Sequence, residues 1–141
     1  MTLTLKTHLA IAAPVEKVWA ALTRPELVEQ YFFGTKLVTD WQVGSPIFFR
    51  GEWEGKAYED KGTVLAFDAP KSLKYNYWSS WGELPDVPEN YANITYAVHE
   101  EGGMTIVTVT QDNIENEEKR AHSEQNWQMV LGGMKDMLEK A

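Results

Sequence analysis

Residues 116–140, NEEKRAHSEQNWQMVLGGMKDMLEK, decide the fold of this chain. Asn116 is a typical N-cap residue, and the two glutamates after it suit the positive end of a helix dipole. Beyond them, apolar residues recur at helical spacing: Trp127, Val130, Leu131, Met134, Met137 and Leu138. The pattern predicts an amphipathic helix of about 25 residues, which must bury its apolar stripe against another element.

Upstream of this helix, short segments alternate between apolar and polar residues, with the period of two that is typical of half-buried strands. The first segment spans residues 3–11, and Pro14 and Pro25 after it each indicate the start of a short helix. Further strands are predicted within residues 36–41, 47–53, 58–67, 73–78, 94–99 and 107–111. Because short turns join these strands, the sheet is predicted to be antiparallel, since parallel neighbours need crossovers.

The predicted architecture is therefore α+β, with a curved antiparallel sheet of about six or seven strands that grips one long helix. A length of 141 residues favours one domain, residues 1–141. The net charge of -8 argues against nucleic acid or an anionic membrane as the main partner. The chain has no cysteine and no apolar run of the ~20 residues that a membrane span needs. Its N-terminus has no signal-peptide pattern, so a cytoplasmic protein is expected.

Four segments, in this order, resemble a known family. They are IAAPVEKVWAALTRPELVEQYF (11–32), DWQVGSPIFFRGEW (40–53), KGTVLAFDAPKSLKYNYW (61–78) and NWQMVLGGMKDMLEK (126–140). Together they resemble the heat-shock-protein-90 ATPase activator homologue-like family of the START and birch-pollen-allergen-like superfamily. Ser45 and Asn126 depart from the pattern, since glycine is usual at both positions. The resemblance implies a helix-grip fold with a ligand-sized cavity between the sheet and the long helix.

The inward positions of the predicted strands bring aromatic side chains onto the face that meets the long helix. One interpretation is an ordinary aromatic core. The other is a pocket, in which buried tyrosine hydroxyls find partners in water or ligand, and Gln111 and Thr7 add polar anchors. The candidate ligand-binding residues are Phe49, Trp53, Tyr75, Tyr77, Tyr96, Gln111, Trp127, Leu131 and Met134.

No catalytic, metal or cofactor motif is visible in the sequence. His8 and His99 lie on outward strand positions, His122 lies off the apolar stripe of the long helix, and no histidine pair has metal-ligand spacing. No catalytic residue, metal or cofactor is therefore predicted.

Three functional hypotheses follow. The first is a binding protein for a small apolar or aromatic molecule, held mainly by burial of apolar surface. The second is an interaction module for a chaperone or another protein, with Trp81 on the acidic loop 79–90 as its candidate contact. The third is a cyclase or hydrolase of the same fold, which rests on fold analogy alone.

Overall fold

The computed structural model describes residues 2–32, 34–79 and 84–140, except for the side chain of Trp53. Within these ranges the chain forms seven strands, three α-helices and one 3-10 turn at Pro88–Asn90. The strands are β1 (Leu3–Ile11), β2 (Lys36–Val38), β3 (Pro46–Trp53), β4 (Lys56–Asp68), β5 (Ser72–Tyr77), β6 (Ala92–Glu101) and β7 (Met104–Ile114). The helices are α1 (Val15–Thr23), α2 (Pro25–Tyr31) and α3 (Glu117–Glu139).

The strands form one sheet in the order β1-β7-β6-β5-β4-β3-β2, and every neighbouring pair is antiparallel. Each strand from β3 to β7 pairs with the strand next to it in the chain, as expected where hairpins connect them. Strand β1 closes the other edge by pairing with β7, with Leu9 opposite Val107. The predicted α+β class and antiparallel sheet are confirmed.

Helix α3 begins as the sequence predicts. The side chain of Asn116 accepts a hydrogen bond from the backbone N–H of Lys119 at 2.9 Å, which satisfies one of the free amides of the first turn. Val130, Leu131 and Met134 are buried, and the helix packs mainly against β1. Its contacts with β7 are fewer, and β5, β4 and β3 lie farther along the sheet.

Strand β2 differs from the prediction. The alternating pattern extends to residue 41, but the strand ends at Val38, and Trp41 adopts a positive φ of 59°. The indole of Trp41 donates to the carbonyl of Thr23 at 2.8 Å and stacks on Phe67. This tertiary packing replaces strand pairing, which the local pattern alone could not indicate.

Candidate functional site

A cleft of about 870 Å³ lies between the first half of α3 and strands β3–β7. The segment after α2 contributes Phe32 and Thr35 to its wall. The lining residues in the described part of the chain are Phe32, Thr35, Phe49, Tyr58, Asp60, Tyr75, Tyr77, Ser79, Ile94, Gln111, His122, Ser123, Asn126, Trp127 and Val130.

Aromatic rings in mutual contact form the floor of the cleft. Phe49 lies 5.5 Å, between ring centroids, from both Tyr75 and Tyr77. Edge-to-face contacts run from Tyr75 to Tyr96 at 5.7 Å and from Tyr96 to Trp127 at 5.8 Å. Such contacts add to burial in fixing ring positions, so the floor is a preformed apolar surface.

The polar ends of these rings have partners within the protein. The hydroxyls of Tyr75 and Tyr96 lie 2.8 Å apart and share a hydrogen bond. The indole N–H of Trp127 donates to Oε1 of Gln111 at 2.8 Å. Among the described residues, no buried side-chain nitrogen or oxygen lacks a partner. The partners that the sequence analysis sought in water or ligand for the buried tyrosine hydroxyls are thus found within the protein for Tyr75 and Tyr96.

A glycine lets one wall of the cleft form. Gly51 on β3 pairs with Tyr58 on β4, and a Cβ at Gly51 would lie 2.5 Å from the Tyr58 hydroxyl. The phenol ring therefore occupies the space over Gly51 that a side chain would fill. From there its hydroxyl reaches Oγ1 of Thr35 at 2.7 Å and links β4 to the segment before β2.

The cleft wall also contains a buried carboxyl group. Asp60 on β4 is 6% exposed, and the Tyr77 hydroxyl donates a short hydrogen bond to its Oδ2. Burial, and then the negative charge of Asp60, raise the pKa of Tyr77 well above its usual range. Tyr77 is therefore the donor of this pair, and Oδ2 of Asp60 accepts.

Three other tyrosines share the raised pKa. Burial is the first cause in each case, and for Tyr31 and Tyr96 a neighbouring phenol adds to it. The Tyr31 hydroxyl donates to the carbonyl of Ala21 at 2.6 Å. We refer to Tyr31, Tyr75, Tyr77 and Tyr96 as the inward phenols.

The structure brings five of the nine candidate ligand-binding residues into the cleft lining: Phe49, Tyr75, Tyr77, Gln111 and Trp127. Tyr96 lies beneath them and lines an adjoining void of about 10 Å³. Leu131 and Met134 are fully buried in the core and do not line the cleft. Thr7 is buried away from the cleft and accepts a hydrogen bond from Gln128. The side chain of Trp53 lies outside the described residues, as does Trp81.

Sequence reasoning missed three groups of lining residues. Tyr58 and Asp60 lie on the same face of β4 as the buried Val64. The period-two alternation of the strand, applied backwards from Val64, would have identified them. Ser123 and Asn126 precede Trp127 and Val130 on one helical stripe, and their polar character hid the stripe. Phe32 and Thr35 follow α2, where no periodic pattern indicates which way a side chain faces.

Histidines and acids do not form a metal site in the described part of the chain. His8 and His99 are exposed, as their outward positions predicted. His122 is also exposed and lies at the cleft mouth. Among the described residues, no helix is both long and apolar enough to cross a membrane.

A twisted antiparallel sheet, a long C-terminal helix and a cleft between them define a helix-grip protein. The family model described as Activator of Hsp90 ATPase homolog 1-like protein matches residues 12–139. The chain belongs to this family, as the resemblance of its four segments predicted.

Solved structures share this fold. A structural-genomics target from Cytophaga hutchinsonii is 46% identical, with a TM-score of 0.86 over 98% of this chain and 94% of that chain. The Aha1 dimer from Colwellia psychrerythraea is 21% identical, with a TM-score of 0.76 over 97% of this chain and 96% of that one. A protein from Mesorhizobium loti is 20% identical, with a TM-score of 0.79 over 99% and 98%. The comparison with curated proteins gave no match.

Proposed function

We propose that this protein binds a small, largely aromatic molecule in the cleft between α3 and the sheet. The observation that carries the proposal is the cleft itself, whose volume of about 870 Å³ is within the range of small-molecule sites. Its floor is a preformed set of aromatic rings, so binding does not require the floor to be ordered first. Because the polar atoms of the floor residues already have partners within the protein, the apolar faces of the rings are the main surface that a ligand would contact.

The polar groups are concentrated on the walls. Thr35 and Tyr58 lie on one side, and Ser123 and Asn126 project from α3 on the other. A site of this composition binds the apolar body of a ligand on its floor and orients polar substituents at its walls. The proposal therefore favours an amphipathic aromatic compound over a simple alkane chain.

Blocking the cleft from α3 tests the proposal. Ser123→Trp places a large ring in the cleft from a half-buried helix position, whereas Gln125→Trp adds the same ring at an exposed position of the same helix outside the lining. The probe is prodan, an uncharged naphthalene dye whose emission shifts in apolar surroundings. We expect the wild type and Gln125→Trp to bind prodan equally and Ser123→Trp to lose at least about tenfold in affinity.

Equal affinity of all three proteins would overturn the proposal, because the dye would then bind elsewhere. Native mass spectrometry of protein purified from its own host provides a second test. A mass excess of a few hundred daltons that disappears on denaturation, and is absent from Ser123→Trp, is the expected result. If a stoichiometric protein partner is recovered instead, with both the wild type and Ser123→Trp, the co-chaperone-like alternative is favoured.

A further inference from the structure

Asp60 occupies an unusual position for a carboxylate. It is 6% exposed and faces the cleft from the middle of β4, directly opposite Phe49 on β3. Aspartate is seldom this buried unless it is paired, because removing its charge from water costs free energy. The residues on either side of it in the chain, Glu59 and Lys61, belong to the opposite face, where they form ion pairs with Arg50 and Asp86.

The surroundings of Asp60 are aromatic on the cleft side. Tyr77 donates to its Oδ2, and the ring of Tyr77 meets Phe49 edge to face at 5.5 Å. Tyr58 lies two residues earlier on the same face of β4 and also lines the cleft. Asp60 is thus hydrogen-bonded to one aromatic residue and shares its sheet face with two others, and aromatic rings attract cations through their faces.

The charge of the cleft is one-sided. Among the described lining residues, Asp60 is the one aspartate or glutamate, and none is lysine or arginine. The chain as a whole carries a net charge of -8, which adds to the attraction for a cation at low ionic strength.

We propose that the cleft selects an aromatic ligand that carries a protonated amine or another organic cation, with Asp60 and its neighbouring rings receiving the positive group. This inference rests on the proposed function and specifies its ligand class. A carboxylate accepts several hydrogen bonds at once, so the Tyr77 hydroxyl and an ammonium group can share it. Charge-assisted hydrogen bonds of this kind are about twice as strong as neutral ones, and aromatic faces add to them.

Three probes with one ring system separate this inference from the proposed function. They are 2-naphthylmethylamine, 2-naphthylmethanol and 2-naphthoate, which carry a cation, an uncharged hydroxyl and an anion. Their affinities are measured by calorimetry at pH 7.5 for the wild type, Asp60→Asn and Asp68→Asn. Asp68 lies exposed near the end of β4 and outside the cleft, so its replacement removes the same charge without altering the lining.

For the wild type and Asp68→Asn, we expect 2-naphthylmethylamine to bind at least about tenfold more tightly than 2-naphthylmethanol. The anionic probe 2-naphthoate is expected to bind most weakly. Asp60→Asn is expected to lower amine affinity about tenfold and to leave alcohol affinity within about twofold. An equal affinity for amine and alcohol in the wild type overturns this inference but leaves the proposed function intact. An amine preference that persists in Asp60→Asn also overturns it. Failure of both the amine and the alcohol to bind overturns the proposed function as well.

Tyr77→Phe provides an independent variant should Asp60→Asn unfold. It keeps the carboxylate and removes only the phenol that donates to it. The preference for the amine is expected to remain or to increase, because the carboxylate loses a competing donor. Loss of the preference would overturn the inference, since the phenol and not the carboxylate would then be its source.

Discussion

Replacing Gly132 by alanine is expected to raise the free energy of unfolding by about 1 kcal/mol, because glycine in a helix interior is less favourable than alanine by that amount. Gly132 lies within α3, and a Cβ built there would have no heavy atom within 4 Å beyond the local backbone. The substitution therefore meets no steric cost and buries almost no new surface. For a chain of this size the gain corresponds to a rise of roughly 3 °C in Tm.

Gly133→Ala is the matched comparison. A Cβ there would lie 3.4 Å from Cβ of Tyr31 and 3.5 Å from its carbonyl oxygen. This is ordinary van der Waals contact, so the added methyl group meets no steric cost and packs against α2. We expect Gly133→Ala to stabilise at least as much as Gly132→Ala.

Urea unfolding followed by circular dichroism measures both variants, with a higher midpoint and an unchanged m-value as the expected result for Gly132→Ala. Prodan affinity should not change, because Gly132 does not line the cleft. A neutral or destabilising Gly132→Ala would refute the reasoning about propensity. Increased stability together with weaker prodan binding would show instead that the glycine pair softens α3 for ligand entry.

Three further predictions concern the fold. Gly62→Ala should lower the free energy of unfolding in urea by at least about 3 kcal/mol, because a Cβ there would lie 1.7 Å from the carbonyl oxygen of Asn76. A near-neutral result would mean that β4 and β5 separate easily at this point. Asn116→Ala should cost about 1 kcal/mol in the same assay through loss of the acceptor for the Lys119 amide, whereas Asn116→Ser should cost little. Above pH 10 the inward phenols are expected to remain protonated in the folded state, whereas the same phenols ionise in the unfolded state. Because the unfolded state then binds fewer protons, the free energy of unfolding falls as pH rises. The fall is up to about 1.4 kcal/mol per phenol per pH unit. Unfolding free energies at pH 9 and pH 11 test this, and full tyrosine ionisation in the folded protein near pH 10 would contradict it.

The fold was predictable where one face of an element is buried along its whole length. Strand β1 begins and ends at the predicted residues, because Leu5, Thr7, Leu9 and Ile11 face the core, whereas Thr4, Lys6 and His8 are exposed. Helix α3 was predictable for the same reason, because its apolar residues share one face and its N-cap residue Asn116 marks where the helix begins. Strand β4 was harder, because its register against β5 shifts between Val64 and Ala66. That irregularity brings Phe67 opposite Leu73, so a strict alternation over β4 fails in its second half.

The cleft was predictable only in part, because the sequence pattern distinguishes buried from exposed faces and not core from cavity. Phe49, Tyr75 and Trp127 were recognised because they are apolar residues on inward positions. Leu131 and Met134 satisfy the same criterion, yet they pack into the core, and α3 packs mainly against β1. The distance between helix and sheet, which decides where a cavity opens, depends on the packing of α3 over β1 and has no local signature.

The polar residues of the site were missed although they line the cleft. Asp60 lies on an inward position, where a search for apolar alternation passes over it, although its neighbours Tyr58 and Val64 keep the period. A buried carboxylate in a strand is unfavourable for stability unless a donor compensates, and here Tyr77 supplies one. A leucine or valine at the same position would complete an apolar wall at no such cost. The proposed ligand amine would use this charge, and the comparison of the 2-naphthylmethylamine, 2-naphthylmethanol and 2-naphthoate probes is designed to test that role.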